Sequence, residues 1–266
     1  RVTVRLLTTV GGNVPVAMCT RNALGLLELA GRSEIAVHEG CPKAILQPGN
    51  PVFDIHGETG LGCAVLQAPT GTAAEAHAVA ALIDAILSSP RKVTIAALAP
   101  LTNIALALTM APQIVDKIDT IVVIGGSFDG GNITPYATYN LHSDPHAAHV
   151  VINSGVAVVM IGLAILRQLK PDADWLGARA NSDSRIGRFV AEMWEGSPLC
   201  FNDANAILYI MAPELYADEP MRIAVECCDP ERLGQTTRVS GQPNVRFVTG
   251  IDRTAAFQHL AEALKG

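Results

Sequence analysis

The sequence predicts an α/β fold with a mostly parallel sheet flanked by helices. Three observations predict it. The strand-like segments are continuous runs of Val, Ile, Leu and Ala, the pattern of strands buried on both faces. They alternate with segments of helical spacing. Asn and Gly gather just after several of the apolar runs, where ligands of such sheets bind.

Taken in order, "VTVRLLTTV" (Val2 to Val10) is apolar and β-branched and breaks at Gly11-Gly12, a strand. "TRNALGLLELA" (Thr20 to Ala30) has helical spacing and stops at Gly31. A short strand is expected at Ile35 to Val37. A Pro- and Gly-rich loop then runs from Gly40 to Pro69, long enough to be a functional lid. Thr72 is placed to cap the apolar-faced helix "AAEAHAVAALIDAILSS". "KVTIAALAP", "DTIVVIGG" and "VAVVMIGL" read as strands. "LTNIALALTMAP" reads as a helix, and Asp144-Pro145 opens another that runs through Asn153. Further on, "DSRIGRFVAEMW" and "DANAILYIMAPEL" read as helices. "MRIAVECC", "TTRVS" and "NVRFVTG" read as strands, and Arg253 to Lys265 as a closing helix. No segment has the composition of a linker, so residues 1–266 are expected to form a single domain.

Composition narrows the function. Hydrophobic residues make up 49% of the chain and charged residues 17%, enough material for a large core. A net charge of −6 argues against a general nucleic-acid or membrane-surface binder. The six cysteines form no C-x-x-C pair, which points to a reduced, cytoplasmic setting. The longest apolar run, Val156 to Leu166, is too short to span a bilayer. There is no G-x-G-x-x-G after a strand, no P-loop and no G-x-S-x-G. Nucleotide-cofactor and serine-hydrolase readings are therefore poor.

Three strand ends carry the signal. The first ends in "TTVGGN" with Asn13, another in "ALAPLTN" with Thr102 and Asn103, and a third in "IGGSFDGGN" with Asn132 and then Asn140. Amides both donate and accept, and glycines let backbone approach a ligand closely. Together they suit a polyhydroxylated ring such as a sugar. Turn-making by Asn and Gly is the plainer alternative.

The segments "LLTTVGGNVPV", "HGETGLG", "ALAPLTNIALAL", "IVVIGGSFDGGNITP", "YNLHSDPHAAHVVINSG" and "NDANAILYIMAPEL" occur in that order. Together they resemble the inosine-uridine preferring nucleoside hydrolase family. The resemblance is strong from Arg1 to Asn153 and looser beyond. It implies hydrolysis of the N-glycosidic bond of ribonucleosides, purine or pyrimidine, with Ca2+ gripping the ribose diol and the attacking water. It implies that Thr102 (by its carbonyl) and Asp203 are calcium ligands. Asn13, Asn132 and Asn140 would meet the ribose, with Ile124 lining the sugar where the family has a methionine. Thr138 stands where a glutamate meets the 5′ side, and Asn202 where many members have a histidine. His56, in "HGETGLG", is the candidate to assist the leaving base. The resemblance also implies a small-molecule nucleoside substrate and a homodimer or homotetramer.

Plainer roles compete. Asp203 and Asp144 are both placed to cap helices. The family's aspartate cluster, D-x-D-x-x-x-D-D, is absent from this sequence. The match starts after it, so the first strand and helix of the family fold are expected to lie outside the chain. Ala164 also replaces a usual aspartate. The chain as given is therefore expected to bind calcium poorly and hydrolyse little. The alternative is a degenerate relative that binds a ribosyl or polyol ligand.

Overall fold

The computed structural model describes residues 2–48, 53–194 and 200–265; Arg1, part of the long loop (49–52), residues 195–199 and Gly266 lie outside the described residues. The elements are β1 (Leu7–Thr8), α1 (Val16–Leu29), β2 (Val37–His38), α2 (Phe53–His56), α3 (Ala78–Leu87), β3 (Val93–Ala97) and α4 (Thr102–Met110). Then come β4 (Ile118–Ile124), α5 (Tyr139–Ser143), α6 (Pro145–Ile152), β5 (Val158–Ile161), α7 (Leu163–Leu166), α8 (Ala173–Ala180) and α9 (Arg185–Trp194). The chain ends with α10 (Ala204–Met211), β6 (Tyr216–Met221), β7 (Ile223–Val225), β8 (Thr236–Arg238), β9 (Val245–Ile251) and α11 (Arg253–Ala263).

The main sheet has the order β3-β4-β5-β9-β6. Its first three pairings are parallel, and β6 runs antiparallel to β9. Successive residues of β4 supply both faces, because side chains alternate along a strand. Ile121 and Val123 join Met160, Phe247 and the helices α3, α4 and α6 in one core. Val122 and Ile124 join Ile161, Val248, Ala206 of α10 and Ala256 of α11 in the other. The mostly parallel, doubly covered sheet is the fold the apolar runs predict. No helix among the described residues is long and apolar enough to cross a membrane.

Several expected boundaries move, each for a local reason. The first strand shortens to two residues, since only Leu7 and Thr9 find partners, on Ala36 and His38. α1 starts four residues before Thr20, at Val16 behind Pro15. Thr72 caps nothing: Ala74 pairs with His38 in a β-bridge, so α3 begins only at Ala78, capped by His77. The sequence reading missed β6, "YADEPM", because it is polar and holds a proline. An edge strand tolerates both. Its Asp218 forms an ion pair with Arg246 of β9 and accepts from Tyr209 Oη at 2.6 Å.

β1 and β2 form a separate parallel pair. What ties this pair to the main sheet is Asn103, buried at the start of α4. Its Nδ2 donates to the Thr9 carbonyl at 2.8 Å, and its Oδ1 accepts from Cys41 N at 3.0 Å. Gly40 is needed beside it, because a Cβ there would lie 2.5 Å from both the amide and the Thr9 oxygen. Asn103→Ala strands a buried carbonyl and a backbone N–H. It is expected to cost about 1–3 kcal/mol in urea unfolding. An unchanged midpoint would refute the tie.

Candidate active site

The carboxyl ends of β3 and β4 are joined by one side chain. Asn140 Nδ2, on α5, donates to the Ile124 carbonyl at 3.0 Å and to the Leu98 carbonyl at 3.3 Å. With its nitrogen turned inward, the amide presents Oδ1 on its other side; the carbonyl partners assign that orientation. Asn132, exposed on the loop before α5, accepts from Tyr139 N at 2.8 Å through Oδ1. That leaves its Nδ2 donor pair facing out. The two amides thus offer an acceptor and donors from neighbouring turns of one rim.

Thr102 is buried, and its hydroxyl donates to Asp144 Oδ2 at 2.6 Å. Asp144 also accepts from Ile45 N and Ala147 N, each at 3.0 Å, so it caps α6 as its Asp-Pro setting predicts. Both of its carboxylate oxygens are thus held by protein donors. The turn bearing Asn13 lies against the same segment: a Cβ on Gly12 would sit 3.5 Å from Pro100. Asn13 itself is half-buried.

Asp203 precedes α10, which packs on β3 and β4 through Ala206 and Leu208. It makes no side-chain bond to its helix, so the capping role open to it in sequence is not realised. Asp203 is exposed by surface area, yet protein crowds around it and burial pushes its carboxyl up to about 6.

The remaining expected residues fall differently. Ile124 is packed into the core with Val122 and Ile161, so its side chain does not line an open rim. Thr138 is buried, and its hydroxyl accepts from Gly126 N at 2.9 Å. That bond holds the Gly125-Gly126 turn, where Gly126 has φ 89° and a Cβ would meet Met160 Sδ at 2.7 Å. Asn202 is half-buried before Asp203, with its N–H on the Cys200 carbonyl. His56 is half-buried at the end of α2, and burial lowers its pKa. Its loop reaches the Asn13 turn: a Cβ on Gly60 would contact Val14, and Asn22 Nδ2 donates to Thr59 O at 2.7 Å. A cavity of about 470 Å³ is lined by Phe128, Ala164, Phe247 and Arg238, not by these residues. Sequence reasoning passed over Asn205 and Tyr216, buried beneath Asp203. The one available signal was an amide among the apolar residues of "DANAILYIM".

This architecture is that of the nucleoside hydrolases. A plant nucleoside hydrolase superposes with a TM-score of 0.91 at 27% identity, covering 99% of this chain and 91% of that one. A purine-preferring ribonucleoside hydrolase from Gardnerella vaginalis gives 0.91 at 26% identity, with the same coverage. The non-specific ribonucleoside hydrolase RihC of Escherichia fergusonii is 34% identical over 98% of this chain and 89% of its own length. The family model for inosine-uridine preferring nucleoside hydrolases matches residues 1–258, and the chain belongs to that family.

The crowding around Asp203 has a sign that can be tested. Its folded pKa is raised, so the folded state keeps a proton that the unfolded state releases between pH 4 and about 6. Its contribution to stability therefore falls as pH rises through that window. In metal-free protein, Asp203→Asn is expected to raise Tm at pH 8 and to leave it nearly unchanged at pH 4.5. Thermal unfolding at both values checks this, and a lower Tm at pH 8 would contradict it.

Proposed function

We infer that this chain hydrolyses the N-glycosidic bond of ribonucleosides, releasing the free base and ribose. The observation that carries the reading is Asp203, a carboxyl freed from helix capping and crowded by protein just before α10, the helix that packs on β3 and β4. The amides of Asn140 and Asn132 belong to the polar segment that follows β4.

In the reaction, water oxygen bonds to C1′, the C1′–N bond breaks, and the base departs with the bond's electron pair and takes up a proton. The transition state is oxocarbenium-like, so positive charge grows on the sugar. Asp203, ionised above pH 6, stabilises that charge and accepts a hydrogen bond from a ring hydroxyl or from the attacking water. Asn140 Oδ1 accepts from one ribose hydroxyl, and Asn132 Nδ2 donates to another. Asn13 borders them. His56 is the group of the mobile-loop type that protonates the departing base; since burial lowers its pKa, its acid form is lost as pH rises. Asn202, an amide, cannot supply that proton.

Calcium is the cofactor the family resemblance implies. The donor set among the described residues does not fit it. Calcium takes six to eight oxygens. Here both oxygens of Asp144 are held by protein donors, and Asp203 is the one carboxylate of the matched positions. No group of three or more His, Cys, Asp or Glu residues gathers to hold a metal among the described residues.

A second reading, a ribosyl or polyol binder without turnover, draws on Thr138. Its hydroxyl is spent on Gly126 N, so no acid meets the sugar there. Release of base from inosine, uridine, adenosine and cytidine, with added calcium and with chelator, separates the two. The hydrolase reading expects turnover that Asp203→Ala lowers roughly 100-fold or more. Binding of ribose or nucleoside by calorimetry, with no release under any condition, would establish the binder.

A further inference from the structure

The Asp203 side chain makes no capping bond to its own helix, so something else must set its direction. The backbone turn that precedes it, Phe201-Asn202, does so. Both carbonyls of that turn accept from one nitrogen, Asn205 Nδ2, at 3.1 Å each. The Asn202 carbonyl also accepts from Asn205 N at 3.2 Å, and Ala206 N reaches the Asp203 carbonyl at 3.2 Å. Asn205 is fully buried, at 0% exposure.

An amide can flip by half a turn and exchange its donor and acceptor ends. Here the other end is fixed. Asn205 Oδ1 accepts from Tyr216 Oη at 3.1 Å, and the same hydroxyl lies 3.3 Å from the Asn205 carbonyl oxygen. Burial raises the Tyr216 pKa, so its hydroxyl stays protonated as a donor. Tyr216 is in turn the first residue of β6, in register with Ile251 of β9. Phe201 is anchored on its own side by its N–H to the Leu169 carbonyl at 2.9 Å and by ring contacts with Trp175 and Trp194. A continuous run of bonds therefore leads from the main sheet to the turn that aims the carboxyl.

The geometry points to Asn205 as a positioning residue for Asp203, with Tyr216 fixing which way the Asn205 amide faces. This rests on the reading of Asp203 as the carboxylate of a hydrolase site. Asn205 touches no substrate. It acts by holding two carbonyls that would otherwise be free to rotate the turn.

Two variants divide the roles. Asn205→Asp keeps the size and the acceptor for Tyr216 but sets an oxygen against two carbonyls. Tyr216→Phe removes the hydroxyl that donates to Asn205 Oδ1, keeps Asn205 Nδ2 in place and frees the amide to flip. With a nucleoside that the wild type hydrolyses, Asn205→Asp is expected to lower kcat roughly 10–100-fold, with KM changed by less than about 3-fold. Tyr216→Phe is expected to lose less, roughly 3–10-fold. In an Asp203→Asn background, Asn205→Asp is expected to cause no further loss, because the group it acts through is gone. Equal fold losses in both backgrounds would overturn the proposal. A second readout needs no turnover. Hydrogen exchange at the amides of Asn205 and Ala206 is expected to speed up at least about 10-fold in Asn205→Asp, while β4 amides keep their protection. Unchanged exchange at the turn would overturn the proposal as well. If the wild type releases no base at all, the hydrolase reading falls, and the exchange result still decides whether Asn205 holds the turn.

Discussion

A carbonyl at the end of a buried strand must find a donor, and this protein meets that demand largely with asparagine. The Thr9 carbonyl is satisfied by Asn103 and those of Leu98 and Ile124 by Asn140; in the turn before α10, the carbonyls of Phe201 and Asn202 accept from Asn205. An amide side chain has a second end, and the structure uses it in each case. Asn103 and Asn205 turn that end to further protein groups, Cys41 N and the Tyr216 hydroxyl. Asn140 alone turns it toward the rim. The same residue type thus finishes the fold and furnishes its polar edge.

Electrostatics separates the two aspartates of this region. Asp144 lies wholly inside the protein with its oxygens met by a hydroxyl and two backbone donors, so its charge is structural. Asp203 has no such company and is crowded by protein instead. A carboxyl kept in a setting that disfavours its ionised form is what a site uses when charge must develop nearby. A fold has no use for it otherwise, since the setting weakens stability above the carboxyl's unfolded pKa.

The central fold was legible because β5 and the stretch Ile121 to Ile124 of β4 are uninterrupted apolar runs, buried on both faces. The Asp144 cap was legible for a similar reason, as Asp-Pro before an apolar helix has few other uses. β6 was not, because an edge strand answers to its partner β9 more than to hydrophobic pattern. The start of α3 was misread because Ala74 is drawn into a bridge with His38, a contact across 36 positions that local propensity cannot see. At the site, the amides of Asn132 and Asn140 stood out. The burial of Ile124 and Thr138 did not, since family position says where a residue lies in the chain but not whether its side chain faces inward. Asn205 stayed hidden because its partners are backbone atoms and a tyrosine from a strand that was not foreseen.

β3 pairs with β4 on one side, and no strand among the described residues pairs with its other side. Thr94 and Leu98 along it are exposed, and Ile207 and Met211 of the overlying α10 are exposed as well. Such a border is adhesive: its open peptide groups and greasy flank can zip onto any extended chain nearby, another molecule of the same kind included. A further strand laid along β3 would cover that border, and a charged residue at position 94 would disfavour such pairing.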